Sequence, residues 1–215
     1  MTIDKAGGRT ATTGSRTSIS RELKAIGQTI GNTPLIRLDL KLRGVWRSIY
    51  LKLEWWNPAG SIKVRTAVGL LNQLNDDGVL TPRTRLVEST SGNLGVALAF
   101  LARRLGIEFV AVVDPKISKR SVAQMRAAGA LVDAVTEADP DGGYLAARLA
   151  RVRTLLAADG HDLAWPDQYH NDAGPQMHYR TTAPEIYRQM NCAVEAVFVA
   201  VSTGGSLAGV AEPPR

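Results

Sequence analysis

The sequence predicts an α/β protein built on a parallel sheet, and two observations carry that expectation. From Thr33 onward, short apolar runs of strand length alternate with longer segments of helical spacing. The composition, 45% hydrophobic and 21% charged over 215 residues, is that of a chain able to bury a sizeable core.

In order, residues 1–20 are rich in Gly, Ser, Thr and Arg and read as a disordered tail. They hold no apolar core of a secretory signal, so a cytoplasmic location is expected. Their composition also suits an organellar transit peptide, but no apolar stripe accompanies it. Residues 34–38 read as a strand, and Ile49, Leu51 and Leu53 alternate with polar neighbours in a second. Ser61 is placed to cap a helix whose apolar residues Val64, Ala67, Val68, Leu71 and Leu74 share a face, with Gly78 ending it. Leu86-Val87 is a buried strand, followed by a helix over 94–105 that Gly106 stops. Strands over 107–113 and 131–135 then alternate with helices over 118–128 and 144–158. A helix over 176–190 precedes a last strand over 196–201.

Several function classes fall away on composition. No run of about 18 apolar residues occurs, so no membrane-spanning helix is expected. The single Cys192 excludes a disulfide scaffold and any CxxC site. His161, His170 and His178 lack HExxH spacing, so no metal site is expected. The +6 formal charge is interspersed with acids, which suits small anionic ligands at least as well as nucleic acid.

Two loops stand where ligands collect in such sheets, at the carboxyl ends of strands. One is Ser89-Thr90-Ser91-Gly92-Asn93; the other is Ser202-Thr203-Gly204-Gly205-Ser206. Small residues let the backbone approach an anion and hydroxyls add donors, although the same residues serve ordinary turns. Two such loops imply ligands with two anionic groups; neither is a Walker or GxGxxG loop. The third feature is Lys63, at the start of a helix after Asn57-Pro58-Ala59-Gly60-Ser61-Ile62. The positive helix end would lower its pKa and favour the neutral amine that a Schiff base needs, whereas most lysines are simply surface charges.

Over residues 25–210 the chain resembles the fold-type II pyridoxal-phosphate enzymes of the cysteine synthase group. The shared segments are GNTPLIRL (31–38), NPAGSIKVR (57–65), STSGNLGVALA (89–99), DQYHN (167–171), HYRTTAPEIY (178–187) and STGGS (202–206). The resemblance implies two open, twisted, mostly parallel sheets flanked by helices. It divides the chain into a larger cofactor-phosphate domain, 21–56 with 165–215, and a smaller α/β domain, 57–164. It also implies that Lys63 binds pyridoxal 5'-phosphate covalently and that Asn93 meets the cofactor's phenolic oxygen. Thr90, Ser91, Asn93 and Gln168 would grip the substrate carboxylate, and Ser202, Thr203, Gly204, Gly205 and Ser206 the cofactor phosphate. A homodimer acting on small amino-acid substrates, without nucleic acid or membrane, is implied as well.

Within the group, ESTSGNLG (88–95), VVDPKIS (112–118) and GGYLAARLARV (142–152) resemble the siderophore and antibiotic branch that makes a precursor of 2,3-diaminopropionate. There Arg148 and Tyr169 match contacts for phosphoserine, against readings as a solvated helix charge and a core aromatic. The implied reaction is β-replacement on O-phospho-L-serine by an amine such as L-glutamate. The alternatives are cysteine synthesis from an activated serine and sulfide, and a non-catalytic remnant. Val64 stands where the family has an aspartate, and the family continues beyond residue 215. The change to Glu212-Pro213-Pro214-Arg215 leads us to expect a truncated reading frame and an incomplete cofactor domain. The strand over 196–201 would then lack a neighbour, leaving the product aggregation-prone, weak in cofactor binding and nearly inactive.

Overall fold

The computed structural model describes residues 13–159 and 162–211. His161 and the segments 1–12 and 212–215 lie outside the described residues. The chain begins with α1 (Thr13–Gln28), followed by the strands β1 (Leu35–Leu42) and β2 (Val45–Lys52). Next come α2 (Lys63–Asp76), β3 (Arg85–Ser89), α3 (Asn93–Leu105), β4 (Glu108–Val113), α4 (Lys119–Ala127), β5 (Leu131–Ala134), α5 (Leu145–Asp159) and β6 (Leu163–Ala164). The last pieces are α6 (Ala173–Met177), a π turn (His178–Thr182), α7 (Ala183–Gln189) and α8 (Gly205–Ala211).

The α/β architecture with a parallel sheet is present. Four strands pair in parallel in the order β5-β4-β3-β6, with Leu86 opposite Phe109 and Ser89 opposite Val112. Strand residues bury alternately on two faces. Leu86, Phe109, Ala111 and Val113 join Val68, Leu71, Leu98 and Leu101 of α2 and α3 in the larger core. Val87, Val110 and Val112 pack on the other face with Val152 of α5. Parallel strands point one way, so the loops after β3, β4 and β6 emerge on one edge. That edge carries the site.

The second sheet is not parallel. It is the hairpin β1-β2, paired from Leu35↔Lys52 to Leu42↔Val45. Its two-residue turn, Arg43 at φ 49° and Gly44 at φ 83°, has the positive-φ geometry that matches strand twist in a tight hairpin.

Four sequence expectations need correction. The tail expected over 1–20 gives way by Thr13 to helix α1, because Ile19, Leu23 and Ile26 bury against the core at helical spacing. Ser61 does not cap α2: the N-cap position is Ile62, and Ser61 Oγ reaches only the Lys63 N–H at 3.4 Å. The helix expected over 176–190 starts at Ala173 and is interrupted by the π turn. Residues 196–201 form no strand, since β propensity makes a ladder only where a partner supplies hydrogen bonds, and none does among the described residues. Phe198 there is 97% exposed. Phe198→Ser is therefore expected to leave stability unchanged within about 0.5 kcal/mol while reducing self-association. Thermal melting and sedimentation check this; a clear loss of stability would show that Phe198 is packed.

Candidate active site

Lys63 opens α2, a helix buried around much of its girth, which fixes the lysine's root. Its side chain is half-buried at a cleft of about 380 Å³. Burial lowers the Lys63 pKa, favouring the neutral amine. Its Nζ lies 3.5 Å from Thr203 Oγ1, so the lysine helix and the glycine-containing loop meet in the folded chain.

The β3–α3 loop forms one wall, with Thr90, Ser91, Gly92 and Asn93 lining the cleft. Thr90 Oγ1 accepts from the N–H groups of Gly95 at 3.0 Å and Gly92 at 3.3 Å, curling the loop over the start of α3. Gly95 is required here: a Cβ would sit 2.6 Å from both Thr90 Cγ2 and Met125 Sδ. The start of α3 offers the free N–H groups to which anions bind.

Gln168 and Tyr169, after β6, line the cleft as well, as do Ser202 and Thr203. Gln168 Nε2 donates to the Ser89 carbonyl at 2.8 Å. Glu88, fully buried and hydrogen-bonded to both loops, was not singled out by sequence reasoning. One carboxylate oxygen accepts from the Ser89 N–H and the Trp165 indole, and the other from the Gln168 N–H. Burial pushes this carboxyl up to about 8, against those three donors. Ser121, near the start of α4, also lines the cleft and was missed; the Ser118-x-x-Ser121 capping pair was its only sequence signal.

Lys63, Thr90, Ser91, Asn93, Gln168, Tyr169, Ser202 and Thr203 thus converge on one cleft. Gly204, Gly205 and Ser206 do not line it. Gly204 makes the turn at φ 85°, and Ser206 Oγ turns to His178 Nε2 at 3.3 Å. Arg148 is not brought to the cleft either, nor is it a solvated helix charge. It is buried, with Nε 3.3 Å from Asp114 Oδ2 at the end of β4, because a buried guanidinium needs a carboxylate. Its Nη1 has no partner among the described residues.

Comparison with known proteins follows the same lines. Residues 26–214 match the pyridoxal-phosphate dependent enzyme family. The chain is similar to N-(2-amino-2-carboxyethyl)-L-glutamate synthase of Ralstonia nicotianae, 39% identical over 192 residues that cover 89% of this chain and 56% of that protein. Its fold matches a hydrogen sulfide-producing enzyme from Fusobacterium nucleatum with a TM-score of 0.77 and 31% identity, over 86% of this chain and 59% of that one. It also matches an O-acetylserine dependent cystathionine beta-synthase from Helicobacter pylori, with a TM-score of 0.73 and 30% identity over 86% of this chain and 60% of that one. The chain therefore spans somewhat over half the length of the relatives it matches. No helix among the described residues is long and apolar enough to cross a membrane. A lysine at a buried helix start, meeting one small-residue loop at the carboxyl edge of a parallel sheet and a second that lines the same cleft, agrees with the family match, and the chain belongs to the pyridoxal-phosphate dependent enzymes.

Proposed function

We propose that the cleft around Lys63 performs β-replacement on an activated L-serine, with O-phospho-L-serine as donor and an amine such as L-glutamate as nucleophile. The observation that carries this reading is the convergence of Lys63, the Ser89–Asn93 loop, Gln168 and Thr203 on one cleft. These residues fit pyridoxal phosphate: a desolvated amine for its carbonyl, a glycine turn with hydroxyls for its phosphate, and amide and hydroxyl donors for a carboxylate. When bound, the cofactor supplies an electron sink conjugated to the substrate's α-carbon.

Lys63 would hold the cofactor, and its Nζ would take the substrate's Cα proton as general base. Thr90, Ser91, Asn93 and Gln168 hold the substrate carboxylate so that this proton faces Nζ. Asn93 would also meet the cofactor's phenolic oxygen, and the Ser202–Ser206 loop, of which Ser202 and Thr203 line the cleft, would hold its phosphate. Tyr169 contacts the donor's leaving group. Arg148 does not line the cleft; the reading keeps it for the donor's phosphate on the resemblance and on its Nη1, which has no acceptor among the described residues. The reading includes a homodimer and a cytoplasmic enzyme, and the name of the Ralstonia relative supports its choice of product.

Rates for phosphoserine against acetylserine, each paired with glutamate and with sulfide, test the reading. The reading requires phosphoserine with glutamate to be fastest. Acetylserine with sulfide fastest would instead establish a sulfhydrylase, a reading favoured by the similarity to the O-acetylserine dependent enzyme. A chain that takes up no cofactor would be the non-catalytic form. Arg148→Ala is expected to lower phosphoserine efficiency by about one to two decades, from a lost charge-assisted contact of about 1.5–3 kcal/mol, with cofactor affinity unchanged. Equal kinetics in the variant would leave Arg148 only its ion pair with Asp114.

A further inference from the structure

The segment formed by α6, the π turn and α7 is wedged between two functional elements. On one side is α2, which starts at Lys63; on the other is α8, which follows the Ser202–Ser206 loop. Both contacts are closed to larger side chains. A Cβ on Gly69 of α2 would strike the Ala173 carbonyl and lie 2.9 Å from Met177 Cβ. A Cβ on Gly209 of α8 would collide with the Pro175 carbonyl and His178 Cβ.

The wedge carries one buried imidazole. His178 opens the π turn, a rare geometry that often re-aims a side chain at a functional site. Its Nδ1 lies 3.0 Å from Thr182 Oγ1, and its Nε2 lies 2.9 Å from Thr66 Oγ1 and 3.3 Å from Ser206 Oγ. Thr66 is one turn along α2 from Lys63, and Ser206 ends the small-residue loop. Burial, with the charges of Arg65 and Lys63 adding to it, lowers the His178 pKa to about 4, so the ring is neutral near pH 7. A neutral ring has one N–H and one lone pair to share among these three hydroxyls.

We propose that His178 is a positioning residue that locks the phosphate-binding loop to the lysine helix. Its Nδ1–H donates to Thr182, and the Nε2 lone pair accepts from Thr66 and Ser206. The Ser206 hydroxyl is thereby held on the wedge, and the loop that it ends is set at a fixed place relative to Lys63. This rests on the reading of residues 202–206 as the loop that holds the cofactor phosphate.

Absorbance titration of the full chain with pyridoxal phosphate, and with pyridoxal, which lacks the phosphate, tests it without turnover. In the unaltered chain the phosphate should strengthen binding. His178→Phe should weaken pyridoxal phosphate binding by about three- to tenfold, the worth of one hydrogen bond, and leave pyridoxal binding unchanged. Ser206→Ala should reproduce that loss, and His178→Phe added to it should cost nothing more. His178→Gln, whose amide reaches toward the Nε2 position, should keep most of the affinity, whereas His178→Asn should not. That pair carries the comparison if His178→Phe does not fold. Equal losses for both ligands, no loss in any variant, or additive losses in the double variant would overturn the proposal. If the unaltered chain binds pyridoxal as tightly as pyridoxal phosphate, the phosphate-loop reading itself fails. That failure shows before any variant is made, and the proposal falls with it.

Discussion

Lys63→Ala is expected to abolish cofactor attachment and to lower turnover of an activated serine by at least about 10²–10⁴-fold, the usual contribution of a general base. On the proposed reading one Nζ serves as both attachment point and base, and among the described residues no other cleft-lining residue carries an amine. The fold should survive. Lys63 is the first residue of α2, alanine favours helix, and the side chain's hydrogen-bond contact with Thr203 is a long one. The cofactor's visible absorbance, steady-state rates and a thermal melt read the three expectations separately. A variant that keeps its bound chromophore and its rate would show that the chemistry lies elsewhere.

The largest stability effect is expected two residues further along. Arg65 is fully buried, and its guanidinium is forked between two carboxylates. Nε and Nη2 donate to Glu54, each at 2.8 Å, while Nη1 and Nη2 donate to Glu185 at 2.7 and 2.8 Å. Lys52 Nζ adds a second cation to Glu185 at 2.8 Å. Arg65→Met should cost about 3–5 kcal/mol, because it strands two partly buried carboxylates without their main cation. Chemical denaturation measures it. Much smaller losses would mean that solvent already neutralises the pair.

The same network gives a pH dependence. Burial tends to raise the Glu185 carboxyl, but hydrogen bonds from Arg65 and Lys52 outweigh it and hold the group at about 2. That pKa lies below the ordinary carboxylate value of 4.5. The contribution is therefore complete above about pH 4.5 and disappears as pH falls toward 2. In Arg65→Met this acid sensitivity should be blunted.

The cleft was legible in the sequence for a simple reason. Lys63 and Ser89 to Asn93 belong to a helix start and a loop that local pattern places near the carboxyl edge of a parallel sheet, whereas Gln168 came from the resemblance alone. Topology then brings those edges together. The Arg65 network was not legible, because an arginine inside an amphipathic helix reads as solvent-facing. Its two partners lie 11 and 120 residues away, and only the fold brings them together. Gly31 shows the same limit. Its φ of 90° and its closeness to Glu185 and Arg65, where a Cβ would lie 2.6 and 2.8 Å away, explain a glycine that the sequence shows only as part of a motif. Arg148 was assigned to the substrate by resemblance; its ion pair with Asp114 was not legible, because only the fold brings the two together. The run 196–201 has strand composition and no ladder partner, and composition alone cannot supply one. Helix α1 was hidden by its Ser, Thr and Arg content, although Ile19, Leu23 and Ile26 carry the helical spacing.

Borohydride reduction of the chain incubated with pyridoxal phosphate, followed by peptide mass mapping, bears most directly on the central assignment. The pyridoxyl group is expected on Lys63, in the peptide that contains Gly60-Ser61-Ile62-Lys63. A specific adduct instead on Lys52, which is occupied by Glu185 and the Thr33 carbonyl, or on Lys116, which reaches the Gly142 carbonyl, would contradict it.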